Sequence, residues 1–430
     1  MYYTMLDIKY IREFSDIVKE NMQKKGRKDV SVVDEVLEID KSYRSLLQEE
    51  QDVRASRNTI SKQINEAKKK GDDIKPLLAQ VQEIPQKVKE LTAKRESVYA
   101  ELITKQKTIP NIMHKDVPIG TSDADNVEVE RIGDIPTFSF AHKPHQQIAV
   151  DLGMADFESS AKTSGNGFYY IQGDLALLNQ ALLRFAIDEM VKEGFLYVET
   201  PYFLRSDIIQ NVVSLDDQEN QIYKIEGEDL YAIGTSEHSL IGRFVSKTVN
   251  ESELPILQTS YSMCFRKEKG SHGLDERGLF RTHQFNKIEM IGLCKPADSL
   301  KLYQRFQEVT KRIFTKLAIP IRVLQICSGD LGDLKHDQVD IEAWSPRKND
   351  FIEVGSCSNL TDAQARQLGI KVQTPEYSYV PHTLNNTAIA TSRALVAILE
   401  NNQLENGEVK IPDVLVPYMY GKTHLKKYYG

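Results

Sequence analysis

The chain has 430 residues, 40% hydrophobic and 27% charged, with a net charge of −7; this describes an ordinary soluble protein of two or three domains and excludes collagen-like and disordered classes. No apolar run approaches the roughly 18 residues needed to cross a bilayer, and the opening MYYTMLDIKYIREF lacks the apolar core of a signal peptide, so a cytoplasmic protein with no membrane partner is expected. Cys264, Cys294, Cys327 and Cys357 are far apart and form no C-x-x-C pair, which argues for buried thiols and against a disulfide framework or a cysteine-rich zinc site.

After an amphipathic opening helix, the strongest periodic signal is a pair of heptad seams. The first runs through Val36, Ile39, Tyr43, Leu46, Glu50, Val53, Arg57, Ile60, Ile64 and Ala67, and the second through Leu77, Val81, Ile84, Val88, Leu91, Arg95, Val98 and Leu102. Gly71 between them reads as a helix stop, so the two helices are expected to form an antiparallel coiled-coil hairpin over about 30–105. Each helix would be about 45 Å long, projecting beyond a globular body. Pro85 is expected to kink or break the second helix. Arg54, Arg57, Lys62, Lys68, Lys69, Lys70 and Lys75 lie near the hairpin's tip and suit phosphate contacts that position RNA without reading sequence. A solvated face or a protein-docking arm would look the same by charge alone. Residues 1–110 carry 22 Lys and Arg against 19 Asp and Glu, a balance of +3, whereas the remainder carries 33 against 43, or −10. Any polyanion is therefore expected at the amino-terminal end.

Residues 111–150, with IPNIMHKDVPIGTSDADN running into them, are rich in Pro, Gly and Asp and read as a linker into a second domain over 151–430. LALLNQALLRFAIDEMV has helical periodicity. Thereafter short strand-like runs arrive with few crossover helices, which argues for a mixed or antiparallel sheet and an α+β fold rather than a Rossmann-type site. No G-x-G-x-x-G or Walker P-loop is present, so a nucleotide must be held by side chains on the sheet. CFRKEKGSHGLDERGLFRTHQFNKIE (264–289) reads as two strands joined by a glycine-rich loop. Alternation puts Arg266 and Glu268 on one face of the first strand and Phe285, Lys287 and Glu289 on one face of the second. A guanidinium, carboxylates and an aromatic ring on one face suit a ligand with a phosphate, an ammonium group and a flat base.

The pattern F-R-x-E, a G-S-x-G loop and R-x-H-Q-F-x-K-x-E resembles motif 2 of the class II aminoacyl-tRNA synthetases, in the form found in the seryl-tRNA synthetase family. KEGFLYVETPYFL (192–204) is similar to motif 1, TSE (235–237) to a T-x-E signature, and HTLNNTAIATSRALVAILENNQ (382–403) to motif 3. The resemblance covers nearly the whole chain. It implies a long helical arm joined to a catalytic domain built on a mainly antiparallel sheet flanked by helices, and a homodimer on motif 1. The implied reaction is activation of L-serine by ATP to seryl-adenylate, followed by transfer to tRNA(Ser), and to tRNA(Sec) where present, with Mg2+ and without zinc or DNA.

The resemblance also implies roles by position. Arg266 bridges the serine carboxylate and the α-phosphate, and Arg393 meets the γ-phosphate. Glu353 and Ser356, in FIEVGSCSN, are candidate Mg2+ ligands, with Val354 and Gly355 beside them along ATP. Lys267 is a further ATP contact, Glu268 recognises the adenine amino edge, and Phe285 stacks on the ring. Thr235, Ser236 and Glu237 surround the serine amine, and Glu289, Asn385 and Thr387 its hydroxyl. Asn386 stands where many relatives carry Gly and Thr387 where many carry Ser, and the added bulk is expected to tighten the hydroxyl pocket. His336, Asp337 and Asp340 resemble a metal cluster only in composition. Two rival readings are a small-amino-acid ligase that loads a carrier protein, against which the long hairpin argues, and a non-catalytic RNA-binding paralogue, against which the presence of Arg266, Glu353 and Arg393 argues.

Overall fold

The computed structural model describes residues 4–213, 215–268 and 278–427. The chain divides into two compact units, Met1–Pro110 and Asn111–Gly430.

The first unit contains four helices, α1 (Ile8–Glu13), α2 (Ser15–Lys24), α3 (Val32–Lys70) and α4 (Lys75–Gln106). α3 and α4 pack as an antiparallel pair that buries their apolar seams: Val36, Leu46 and Ile64 on one and Ile84, Leu91 and Leu102 on the other are all below 10% exposed. At 1.5 Å per residue they are about 58 and 48 Å long, somewhat more than the seams predict. α3 stops at Gly71, whose φ of 78° is left-handed. The expected break at Pro85 does not occur, and α4 runs through it. Glu50 and Arg95, polar members of opposite seams, meet at 2.8 Å. Arg54 and Thr92 also donate to Glu50, at 2.7 and 3.0 Å. Hydrogen bonds from Arg95 and then Arg54 hold the Glu50 carboxyl down to about 2. Arg57, counted into the seam, is exposed.

The second unit is organised by an eight-stranded sheet: β1 (Val127–Ile132), β2 (Leu196–Tyr197), β3 (Ile256–Phe265), β4 (Gln284–Cys294), β5 (Ile321–Gln325), β6 (Asp337–Ser345), β7 (Asp350–Thr361) and β8 (His382–Ala390). Their spatial order is β1-β5-β6-β7-β8-β4-β3-β2. Every neighbouring pair is antiparallel except β2 and β3. Residues 111–150, read as a linker, supply the edge strand β1 and the short helix α5 (His145–Asp151).

One face of the sheet is covered by α6 (Gly173–Lys192), α8 (Ser299–Lys316) and α9 (Thr391–Asn401). Phe185, Phe306 and Phe314 fill that layer with Ile288, Met290 and Cys357. Over part of the opposite face lies α7 (Ser236–Gly242), whose Leu240 and Ile241 pack on Ile291 and Leu293. Period-2 alternation sends Ile288 and Met290 to the helical layer, and Phe285, Lys287 and Glu289 to the other side. All four cysteines are buried and free.

Candidate active site

The open sheet face gathers side chains from four central strands. Directly opposed residues of an antiparallel pair share a face, and Glu289 of β4 lies opposite Ser260 of β3 and Thr387 of β8. On β7, Glu353 and Ser356 are three residues apart and would ordinarily point to opposite sides. A bulge at Val354 corrects this, since Gly355 pairs with Ile341 while Glu353 pairs with Glu342. Glu353 and Ser356 therefore share the face of Asp340 and Glu342. Gly355 sits in a crowded place, where a Cβ would stand 3.3 Å from both the Cβ and the carbonyl oxygen of Thr387.

A cleft on this face is lined by Arg266, Glu268, Phe285, Lys287, Glu353, Val354, Gly355, Thr387 and Arg393, among others. The Arg266 guanidinium lies 5.3 Å from the Phe285 ring centre. Its Nε donates to the Gly234 carbonyl at 3.2 Å, which fixes its direction. Across the cleft, Arg393 Nη1 stands 3.1 Å from the Glu353 carboxylate and donates to the Glu353 carbonyl at 3.0 Å. The charge of Arg393 holds the Glu353 carboxyl below its usual value. Asp340 is lifted to about 7, first by burial and then by the charge of Glu353.

The β3 strand stops at Phe265, so Arg266 to Glu268 continue beyond it and FRTH lies outside β4. Glu268 departs from the expected alternation: its φ is 47°, and its carboxylate pairs with Arg281 at 3.3 Å. Lys267 turns away from the cleft, its amine donating to the Glu219 carbonyl at 3.0 Å. Gly270, Ser271, Gly273, Asp275, Glu276 and Arg277, expected in the loop, lie outside the described residues.

A second cluster sits beside the cleft. Thr235 caps α7, its hydroxyl accepting from the Glu237 N–H at 3.4 Å and from Lys287 Nζ at 3.3 Å. Glu237 accepts from Gln364 at 2.8 Å and Asn385 at 2.9 Å, and burial raises its carboxyl. Lys287 Nζ is 2.5 Å from Glu289, whose carboxyl is pushed up to about 7, first by burial. Ser236 is fully buried and donates to the Ser260 carbonyl.

Asn386 does not tighten the pocket. It alternates to the helical side, is fully buried, and donates to the Phe306 carbonyl at 2.7 Å and the Thr310 hydroxyl at 2.9 Å. His336, Asp337 and Asp340 form no cluster: His336 bonds the Ile112 carbonyl while Asp337 accepts from Gln325. Among the described residues, no group of three His, Cys, Asp or Glu is placed to hold a metal. Sequence reasoning missed Arg281, Phe280 and Gln364. Lys287, placed by alternation on the face of Phe285 and Glu289, was given no role of its own, whereas Gln364 reaches Glu237 across 127 residues with no local signal.

The model of the seryl-tRNA synthetase N-terminal domain matches residues 5–113, and the tRNA synthetase class II core domain (G, H, P, S and T) matches 222–402. The serine--tRNA ligase of Methanoregula boonei is 44% identical over 98% of this chain and 100% of its own length. The chain belongs to the seryl-tRNA synthetase family. The serine--tRNA ligase of Pyrococcus abyssi is 41% identical, with 96% of each chain covered. A crystal structure of the seryl-tRNA synthetase of Pyrococcus horikoshii complexed with ATP superposes with a TM-score of 0.95, at 39% identity over 99% of this chain and 100% of that one. The cytoplasmic enzyme of Naegleria fowleri in complex with AMP gives 0.89 at 32% identity, over the whole of both chains. Seryl-tRNA synthetases thus combine an α3–α4 arm and a class II sheet in the same order as this chain.

Proposed function

We infer that this chain is a serine--tRNA ligase: it activates L-serine with ATP and transfers the seryl group to tRNA. The observation that carries the reading is the convergence in one cleft of Arg266 on Phe285 and, from the opposite wall, Arg393 with Glu353. A serine carboxylate oxygen attacks the α-phosphorus and pyrophosphate leaves. The terminal adenosine hydroxyl of tRNA then attacks the seryl carbonyl and AMP leaves. Neither step needs a protein nucleophile, so positioning and charge neutralisation carry the catalysis.

Phe285 stacks the adenine, and Glu268 accepts from its amino group. Arg266 neutralises the α-phosphate and serine carboxylate, while Arg393 meets the γ-phosphate. Glu237 and Thr235 hold the serine ammonium; Glu289, with Asn385 and Thr387, receives its hydroxyl. A site that satisfies a hydroxyl rejects alanine, because alanine would leave buried polar groups unpaired. Glu353 and Ser356 suit Mg2+: both are hard oxygen donors brought to one face by the bulge at Val354. Bound there, the ion would supply further neutralisation of the phosphates.

Arg57, Lys62, Lys68, Lys69, Lys70 and Lys75 are exposed around the arm's tip and suit tRNA phosphates; Arg54 belongs to the same set, although Glu50 already holds it. The chain works as a homodimer through the end of α6 and the edge strand β2, a reading supported by Val191 and Leu196, 53% and 61% exposed there. Its reaction belongs with translation, in the cytoplasm.

Serine-dependent exchange of pyrophosphate into ATP tests the first step directly. The native protein should catalyse it, a chelator should stop it, and Arg266→Ala should lower it at least about 100-fold with the circular-dichroism spectrum retained. No exchange with any amino acid would overturn the reading.

A further inference from the structure

The returning side of the Arg266 hairpin, from Gly278 to Thr282, carries Phe280 and Arg281 into the cleft, yet it belongs to no strand. Its register is set by a fully buried imidazole on α5. The Leu279 N–H donates to His145 Nε2 at 3.1 Å. That bond requires a lone pair on Nε2, so the ring proton sits on Nδ1 and is donated to Glu400 at 2.8 Å. Glu400 also accepts from the His145 backbone N–H at 3.2 Å and from the Ser345 hydroxyl at 2.6 Å, and Arg347 lies 3.3 Å away as its counter-cation. His145, Leu279 and Glu400 are all 0% exposed. Gly278 presses against the same ring: with φ at 86°, a Cβ there would stand 2.3 Å from Nε2.

The connections close a circuit. Glu400 and Arg393 lie two turns apart on α9. Arg393 stands 5.2 Å over the Phe280 ring, and Arg281 is ion-paired to Glu268. One helix therefore grips the cleft directly through Arg393 and holds the residues facing Arg393 through Glu400 and His145. We propose that His145 is a positioning residue for ATP, fixing the Gly278–Thr282 segment so that Phe280 and Arg281 complete the nucleotide side of the cleft. The proposal rests on the reading of this cleft as the ATP site.

Replacement by Asn and Gln separates positioning from mere packing. In His145→Asn the shorter side chain would keep an N–H near the Nδ1 position for Glu400 but place no atom at Nε2, whereas the longer side chain of His145→Gln brings a carbonyl oxygen within reach of Leu279. In serine-dependent pyrophosphate exchange, His145→Asn should raise the KM for ATP about tenfold or more, leave the KM for serine within about twofold, and keep the melting temperature near that of the native protein. His145→Gln should restore most of the ATP affinity. Gly278→Ala, whose methyl group would be driven against the His145 ring and force the segment away from it, should reproduce the ATP defect. An unchanged KM for ATP in His145→Asn or Gly278→Ala would overturn the proposal, as would equal losses in both KM values and in melting temperature. Absence of exchange by the native protein would instead overturn the ATP reading on which it stands.

Discussion

Glu289 is 1% exposed, and its carboxyl is lifted to about 7 from an ordinary 4.5, first by burial and against the pull of Lys287. A carboxyl raised by folding stabilises the fold fully below its unfolded value, and that stability is lost as pH climbs through the folded one. The unliganded protein should therefore lose up to about 3 kcal/mol from this group between pH 4.5 and 8, a loss that Glu289→Gln does not incur. Melting curves of both proteins at about pH 5 and pH 8 check this: the Gln variant should gain on the native one at the higher pH, and a constant difference would refute it. The expense is understandable if Glu289 selects a hydroxyl as proposed, since an acceptor must then wait in a buried place for its ligand. Phe285 and Glu289 were legible in the sequence because period-2 alternation on a strand fixes the face of each residue. Arg266 and Glu268 reach the cleft as expected, although the strand ends at Phe265 and alternation no longer fixes a face there, and Lys267 turns away from it. Asn386 shows the same rule applied too loosely: a neighbour of Thr387 on a strand must face the other way.

At the scale of elements, the arm was the most legible part, since seams of apolar residues at three-and-four spacing admit few other partners. Their polar members carried information as well. Glu50 and Arg95 sit at seam positions because they pair with each other, and a shift of register would leave Glu50 buried without its partner. The bulge at Val354 was not legible, since no single residue announces it; it appears only when β7 is laid against β6. Removal of residues 40–100, with a short linker in their place, should leave serine-dependent pyrophosphate exchange within about threefold of native, because no cleft residue lies there. The same deletion should lower tRNA charging at least about 100-fold, as phosphate contacts supply much of RNA affinity. Comparable losses in both assays would show that the arm does more than hold tRNA.

For the whole molecule, the charge asymmetry matches the proposed division of labour, with +3 on residues 1–110 and −10 beyond. Sedimentation should give a species of about twice 49.0 kDa, and a charged residue at Leu196 should shift it toward the monomer. A monomer at micromolar concentration in the native protein would remove the dimer reading. Fold class was readable because strands came in runs with few crossover helices. The order of those strands was not, since pairing is decided by distant partners rather than by local pattern. That order has a temporal consequence. β8, formed by residues 382–390, lies between β4 and β7 and supplies the floor from which Asn385 and Thr387 point, and α9 brings Arg393 only after it. During synthesis from the amino terminus, the arm can fold while most of the message is unread, but the central sheet stays split until nearly the last turn of translation. A ribosome that stalls before residue 380 would thus release a chain with the arm proposed to grip tRNA yet without a closed site to charge it, on that proposal a competitor for the substrate of its own completed copies.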